Sequence, residues 1–322
     1  MKEKNKGFTL VELLAVIVIL ALIALIATPI ILNVINDAKK QAAKDSAYGY
    51  MDAVEKYIVS SELEDESIQD GIYSVEDLNK KISVKGSTPD NGIIKIENKE
   101  VKKYDIGIDG YAVSNGEVEK VSTTKKFENG TAVYYNPVSG EKCSESESKS
   151  TTGTKSGCMK WYVFNDKEGN ATVNVILDHN TTARVAWNSA VDALKTDTST
   201  WKNTARLITA NEIAKITGNT GWDASKENQP WFYFDSNNQT QTANASNKST
   251  YAWLFDYTRG CTSYGCNKAD SSTYGYWTST RKVDNSTYAW PVDRNGSLNF
   301  HNVANTGNGI RPVITISKSN IS

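Results

Sequence analysis

Glu12 is the residue that most needs a chemical explanation. It heads an apolar run in which, from Leu13 to Leu32, only Thr28 and Pro29 interrupt Ala, Val, Ile and Leu. A carboxylate carried towards a bilayer centre costs about 2.5–3.5 kcal/mol, so such groups are usually paired. No Lys or Arg follows within a helical turn, and the next basic residue is Lys39. The partner must come from upstream or from another chain, and the chemistry is ion pairing in a low dielectric. Other reactive types are sparse. His179 and His301 are candidate bases without a recognisable constellation, and no Gly-x-Ser-x-Gly, His-Glu-x-x-His or phosphate-loop motif occurs. There is no Cys-x-x-Cys, and the acids between Glu62 and Asp77 lack calcium-loop spacing, so no metal or cofactor is expected. Trp222, Trp231, Phe232 and Tyr233 stand in a polar stretch. Of these, Trp222, Trp231 and Tyr233 are the candidate ligand contacts, with packing as the plainer role.

An element must hold Glu12. Roughly twenty apolar residues at about 1.5 Å each span roughly 30 Å, the thickness of a bilayer core. Lys2, Lys4 and Lys6 precede the run against the single acid Glu3, which keeps the N-terminus cytoplasmic. A secretory signal peptide fits poorly, because the run is long and Pro29-Ile-Ile-Leu32 offers no small-residue cleavage site. A plain anchor leaves Glu12 unexplained.

Lys6-Gly7-Phe8-Thr9-Leu10-Val11-Glu12-Leu13-Leu14, followed by the apolar run, resembles the N-terminus of type IV pilin and pseudopilin precursors. The resemblance covers about Lys6 to Leu32. It implies that a membrane prepilin peptidase cuts after Gly7 and methylates the new amine on Phe8. It implies too that Glu12 meets the N-terminal ammonium of a neighbouring subunit. Such a pair specifies register, because a misplaced subunit leaves the carboxylate unpaired. Pro29 matches the position of the family's helix kink.

The remaining chain is polar and foldable. It has 322 residues, 39% hydrophobic and 23% charged, with a net charge of -1 and mean hydropathy -0.48. That excludes a polytopic membrane protein, a collagen-like repeat and a disordered polyelectrolyte, and gives no bias towards nucleic acid. Ile31, Val34, Ile35, Ala38, Ala42, Ala47, Met51, Val54 and Ile58 repeat at helical spacing. One helix from Phe8 to Ile58 would run about 75 Å. The acidic block Glu62–Asp77 reads as a solvated loop, with a short helix around Val75–Lys81. Strand signals cover Gly92–Glu97, Val101–Ile108, Tyr111–Ser114 and Glu117–Ser122. Asp109-Gly110 and Asn115-Gly116 in the gaps are hairpin turns. Composition shifts near Thr123. The expected division is a leader (1–7), an assembly helix (8–60), a pilin-like sheet (61–123) and a surface domain (124–322).

In that last region strands are expected at Thr131–Tyr135, Met159–Asn165, Thr172–Leu177, Gly275–Thr280, Thr287–Val292, Ser297–Val303 and Ile310–Ser317, with a turn at 293–296. Helices are expected at Val185–Leu194 and Ala210–Thr217. Ala205-Arg-Leu-Ile-Thr-Ala-Asn-Glu212, Gly275-Tyr-Trp-Thr-Ser-Thr280, Tyr288-Ala-Trp-Pro-Val292 and Gly309-Ile-Arg-Pro-Val-Ile314 resemble Lcl-type and FISUMP-type modules of the C-type lectin-like fold. The implied class is α+β: a long helix on a small antiparallel sheet, then a lectin-like domain often used for binding. Trp277, Trp290 and Arg311 read as core. Outside the membrane thiols tend to oxidise. Three pairings of the four cysteines are possible, and spacing favours Cys143–Cys158 and Cys261–Cys266. The interval between Cys261 and Cys266 also matches formylglycine-generating enzymes, but the surrounding residues do not, and no enzyme is expected.

The reading is a structural subunit, minor or tip, of a type IV pilus-like filament or pseudopilus. Its partners are prepilin peptidase, sibling pilins, the membrane and a surface glycan or protein, with no specific nucleic acid. The alternatives are an adhesin displayed by the pilin route, or a competence pseudopilin in DNA uptake. The location is the bacterial membrane, single-pass, and the cell surface.

Overall fold

A computed structural model of the chain describes residues 9–63, 68–122, 125–148, 157–218, 232–233, 251, 253–254, 275–283, 285–292 and 297–321. Helix α1 runs from Leu10 to Leu63, 54 residues, or about 80 Å at a helical rise. Through Ala42 its side chains are exposed, with only Ala27 half-covered. From there a stripe at three- and four-residue spacing is buried: Ala43, Ala47, Tyr50, Met51, Val54 and Ile58. The covered stripe thus starts at Ala43, not at Ile31, because no other described part of the chain reaches the upper half. Pro29 lies inside α1 without ending it. Proline leaves the carbonyl four residues back without its N–H, and beside it Thr28 Oγ1 donates to Ala24 O at 2.5 Å.

The buried stripe packs on a five-stranded antiparallel sheet of order β1-β2-β3-β4-β5. These strands are β1 (Gly71–Ser74), β2 (Asn91–Glu97), β3 (Glu100–Ile108), β4 (Tyr111–Ser114) and β5 (Glu117–Lys120), with the short helix α2 at Val75–Leu78. Ile94, Ile96, Ile106, Ile108 and Val113 face the helix, as the period of two requires. The expected turns carry positive φ at both central residues: 50° and 79° at Asp109 and Gly110, 47° and 88° at Asn115 and Gly116. The acidic block contains the short helix expected there, α2, and also a strand, β1, where loop was expected. Asp70 ties the block to the turn between β2 and β3 by accepting the N–H groups of Asn98 and Lys99 at 2.7 and 3.1 Å, and Ser74 caps α2 by accepting Asp77 N.

The C-terminal region holds β6 (Ala132–Asn136), β7 (Glu141–Lys142), helix α3 (Glu145–Ser148), β8 (Met159–Phe164), β9 (Thr172–Leu177), β10 (Thr182–Val185), α4 (Ala190–Asp197) and α5 (Ala210–Ile216). It continues with β11 (Phe232–Tyr233), β12 (Gly275–Arg281), β13 (Tyr288–Val292), β14 (Ser297–Leu298), β15 (His301–Asn302), β16 (Asn308–Ile310) and β17 (Val313–Ser317). Among the described residues one sheet has the order β17-β9-β8-β6-β7. The other has the order β10-β16-β12-β13-β14-β11, with β15 on β13, and β12 and β16 run parallel. The overall class is α+β.

Three elements differ from expectation. Val185–Leu194 is not one helix: the chain is strand to Val185, turns at Trp187–Ser189, and becomes helical at Ala190. Tertiary bonds override the helical pattern, with Trp277 Nε1 donating to Val185 O and Trp187 N to Val303 O. The expected strand Ile310–Ser317 breaks at Arg311-Pro312, where proline has no N–H for the ladder and Arg311 turns inwards. Ser297–Val303 divides into β14 and β15. The turn expected at 293–296 lies outside the described residues.

The five-stranded sheet docks on the C-terminal region through β2, β3 and β9. Asn91 Nδ2 donates to Thr172 O at 3.2 Å, and Asn174 Nδ2 to Asn91 Oδ1 at 3.3 Å. Gly107 permits the contact: a Cβ there would lie 2.6 Å from Asp90 Oδ1 and 3.1 Å from Thr172 N. The aspartate tip can swing away, but the strand backbone cannot. Gly107→Val should therefore cost about 1–3 kcal/mol by overpacking, read as a lower urea midpoint with an unchanged slope.

Asp105 is buried in the same interface and accepts from Ser114 Oγ at 2.5 Å and Thr204 N at 3.4 Å. Burial raises its carboxyl above the ordinary value despite both bonds. The folded state then binds the proton more tightly than the unfolded chain, whose carboxyl titrates near 3.9. The stabilisation is present below about 3.9, is lost as pH rises through the folded value, and is flat above it. Asp105→Asn keeps the acceptor, so the pH slope of the unfolding midpoint should flatten relative to the parent. An unchanged slope would assign the dependence to other groups.

Candidate functional site

The chain's N-terminal helix begins with a reciprocal cap. Thr9 N and Thr9 Oγ1 both donate to Glu12 Oε2 at 2.8 Å, and Glu12 N donates back to Thr9 Oγ1 at 3.3 Å. Thr9-Leu-Val-Glu12 is a capping box, which satisfies N–H groups that no preceding turn can reach. Glu12 therefore has hydrogen bonds but, among the described residues, no cation. Around it Leu10, Leu13, Leu14 and Ile17 are 81%, 60%, 54% and 53% exposed. The helix is long and apolar enough to cross a membrane, and none of its apolar window is covered. This geometry is a carboxylate held at the mouth of an unpartnered apolar helix. It can receive a cation and be buried by other helices.

Residues 2–28 match the prokaryotic N-terminal methylation motif. No curated protein and no solved structure matches the chain. The motif supports a type IV pilin or pseudopilin subunit, processed by prepilin peptidase and assembled with other pilins. Motif-bearing proteins of this kind are structural rather than enzymatic. The motif and the uncovered helix fit membrane anchoring and an extracellular pilus. Gly7 and Phe8, the expected processing residues, lie outside the described residues. Glu12 and Pro29 lie on one helix, separated by the apolar run.

In the C-terminal region the four cysteines separate into one described pair and one outside description. Cys143, just after β7, and Cys158, just before β8, form a disulfide. Cys261 and Cys266 lie outside the described residues, as do Trp222 and Trp231. Tyr233 belongs to β11, which pairs with β14.

Trp277, Trp290 and Arg311 are buried. The Arg311 guanidinium donates to Leu177 O at 2.6 Å and Leu254 O at 2.7 Å, with Trp253 O as a third acceptor, and lies 5.1 Å from the Tyr276 ring centroid. It organises core carbonyls. His179 is buried with Nδ1 on the Asp178 carboxylate, which removes it from contact with solvent-borne substrate. His301 lies between the amides of Asn299 and Asn308 and edge-on to Trp277.

Two charged units escape the sequence pattern. Glu212 caps α5 with Thr209 and also holds Arg206 through two bonds of 2.7 and 2.6 Å. Thr-x-x-Glu before α5, like Thr9-Leu-Val-Glu12 before α1, is a signal that sequence reading can find. Lys318 and Asp166 form a fully buried ion pair at 2.9 Å. No local pattern joins them.

Proposed function

We infer that the chain is a minor or tip subunit of a type IV pilus-like filament or pseudopilus, bearing a ligand-binding C-terminal domain. The observation that carries this reading is the methylation motif leading into a helix whose upper half nothing in the described chain covers. In this reading residues 1–7 are a leader, 8–60 the assembly helix, 61–123 the pilin sheet and 124–322 the displayed domain. Gly7/Phe8 is the processing point, Cys261 and Cys266 form the second disulfide, and Trp222, Trp231 and Tyr233 contact ligand.

The size of the displayed region supports a minor or tip position, because a large body must fit beside packed helices. The lectin-like reading draws support from the return of β17 to pair with β9 beside β8 and β6, which brings the region's first and last strands into one sheet. Intact mass of the membrane-extracted protein tests processing: a chain beginning at methylated Phe8 is expected. Immunogold labelling tests position, with signal at filament ends expected and label along the whole shaft refuting a tip role.

A further inference from the structure

A cleft of about 1010 Å³ opens between the five-stranded sheet and the C-terminal region. One wall is the whole of β1 with part of α2; the other is formed by parts of α4 and α5 and the chain between them. The volume is at the upper end of the range of ligand pockets, about 300–1,000 Å³.

β1 ends the sheet order and pairs with β2 alone. Among the described residues no backbone hydrogen bond reaches its other edge. That edge is a row of main-chain donors and acceptors about 13 Å long at the usual rise per residue. Ion pairs join the two walls at opposite ends of this row. Glu76, just after β1, meets Lys215 at 2.9 Å, and Glu97, beside the start of β1, meets Lys195 at 4.0 Å. The cleft is therefore a trough over the face of the sheet turned away from α1, along the row Ile72, Lys95 and Lys103, with the edge strand β1 along its rim. Both walls carry both signs, with Glu76 and Lys80 on one and Asp192 and Lys195 on the other. No net field selects an anion or a cation.

We propose that this cleft binds an extended polypeptide segment of low net charge, laid as an added strand against the free edge of β1. Backbone N–H and C=O groups repeating at strand spacing are matched row by row only by another backbone; the hydroxyls of a saccharide do not share that repeat. Affinity then comes from main-chain bonds, and selectivity from side chains alternating into the two faces of the trough. Ile72, half-buried, is the β1 side chain on the cleft's face, while Tyr73 beside it packs on the core under α1. The inference rests on the fold and is independent of the pilin reading.

The test uses the full chain in detergent and a phage-displayed heptapeptide library. An enriched peptide is synthesised, and hydrogen exchange is measured with and without it. The expected result is slowed exchange at residues 71–74. N-methylation of alternate peptide amides should weaken binding about tenfold or more in one phase of the alternation and little in the other, since each methyl removes a main-chain donor. Lys195→Glu with Lys215→Glu should reduce binding while leaving the unfolding midpoint near the parent's. The proposal is overturned by a library that enriches nothing, by protection away from β1, by binding indifferent to N-methylation, or by a neutral oligosaccharide that protects β1 where peptides do not. Processing and filament labelling are untouched by this assay, so its failure would leave the pilin reading standing.

Discussion

Lys318→Met should destabilise the C-terminal region by about 3–5 kcal/mol, the cost of leaving a buried charge without its partner. Both members of the Lys318–Asp166 pair are fully inaccessible to solvent. The ammonium uses its three donors on Asp166 Oδ2 at 2.9 Å, Lys125 O at 3.0 Å and Lys167 O at 3.2 Å. Asp166 Oδ2 also accepts Phe127 N at 2.8 Å, while Asp166 Oδ1 has no partner among the described residues. The lysine is thus fully satisfied and the carboxylate only half so. Removing the lysine strands an anion with one remaining donor. The double variant Lys318→Met with Asp166→Asn keeps an acceptor for Phe127 N and removes the stranded charge, so it should recover at least half of the loss. Urea midpoints of the parent, both single variants and the double give the coupling energy directly. A Lys318→Met midpoint within about 1 kcal/mol of the parent would mean that the site relaxes and admits water.

The position of this pair makes it a junction between three separate segments of the chain. Lys318 follows the last strand, Asp166 and Lys167 sit in the turn between β8 and β9, and Lys125 lies where the chain leaves the five-stranded sheet. One buried ammonium ties the entry, the first long hairpin and the exit of the C-terminal region together.

The sequence makes some of these features legible and hides others for physical reasons. The lower stripe of α1, the two-residue turns after β3 and β4, and strands β8 and β9 follow from local periodicity and turn chemistry. The burial of Trp277 and Trp290 follows from their place in apolar strand patterns. Lys318 does not follow: in the Ser-Lys-Ser-Asn tail it reads as a solvated cation, and its partner is far away in sequence. Arg311 breaks a strand because its guanidinium finds Leu177 O across the core, a contact no window of residues contains. The upper stripe of α1 shows the opposite failure. Its periodicity is present, but no other described residue covers it, so Ile31, Val34 and Ile35 are exposed.

Glu12→Ala should leave cleavage intact and abolish assembly, and the capping box supplies the controls needed to say why. Two roles coincide in this carboxylate. It accepts from Thr9 N and Thr9 Oγ1 within its own chain, and under the proposed function it also receives the terminal ammonium of a neighbour. Glu12→Gln separates them, because glutamine closes a capping box as glutamate does but carries no charge. Thr9→Val makes the complementary separation, removing the hydroxyl while keeping the charge. A lost cap costs about 1 kcal/mol at one helix end. A register-setting pair in the bilayer is worth more, since its loss leaves the neighbour's ammonium unpaired there at a cost of about 2.5–3.5 kcal/mol. Glu12→Gln should therefore fail to assemble as Glu12→Ala does, while Thr9→Val still forms filaments at reduced yield. Sheared-filament immunoblots measure assembly, and the mass of the membrane-retained chain measures cleavage. Normal filaments from Glu12→Gln would transfer the role of Glu12 from the charge to the cap, and with it the reason this helix tolerates a carboxylate at its head.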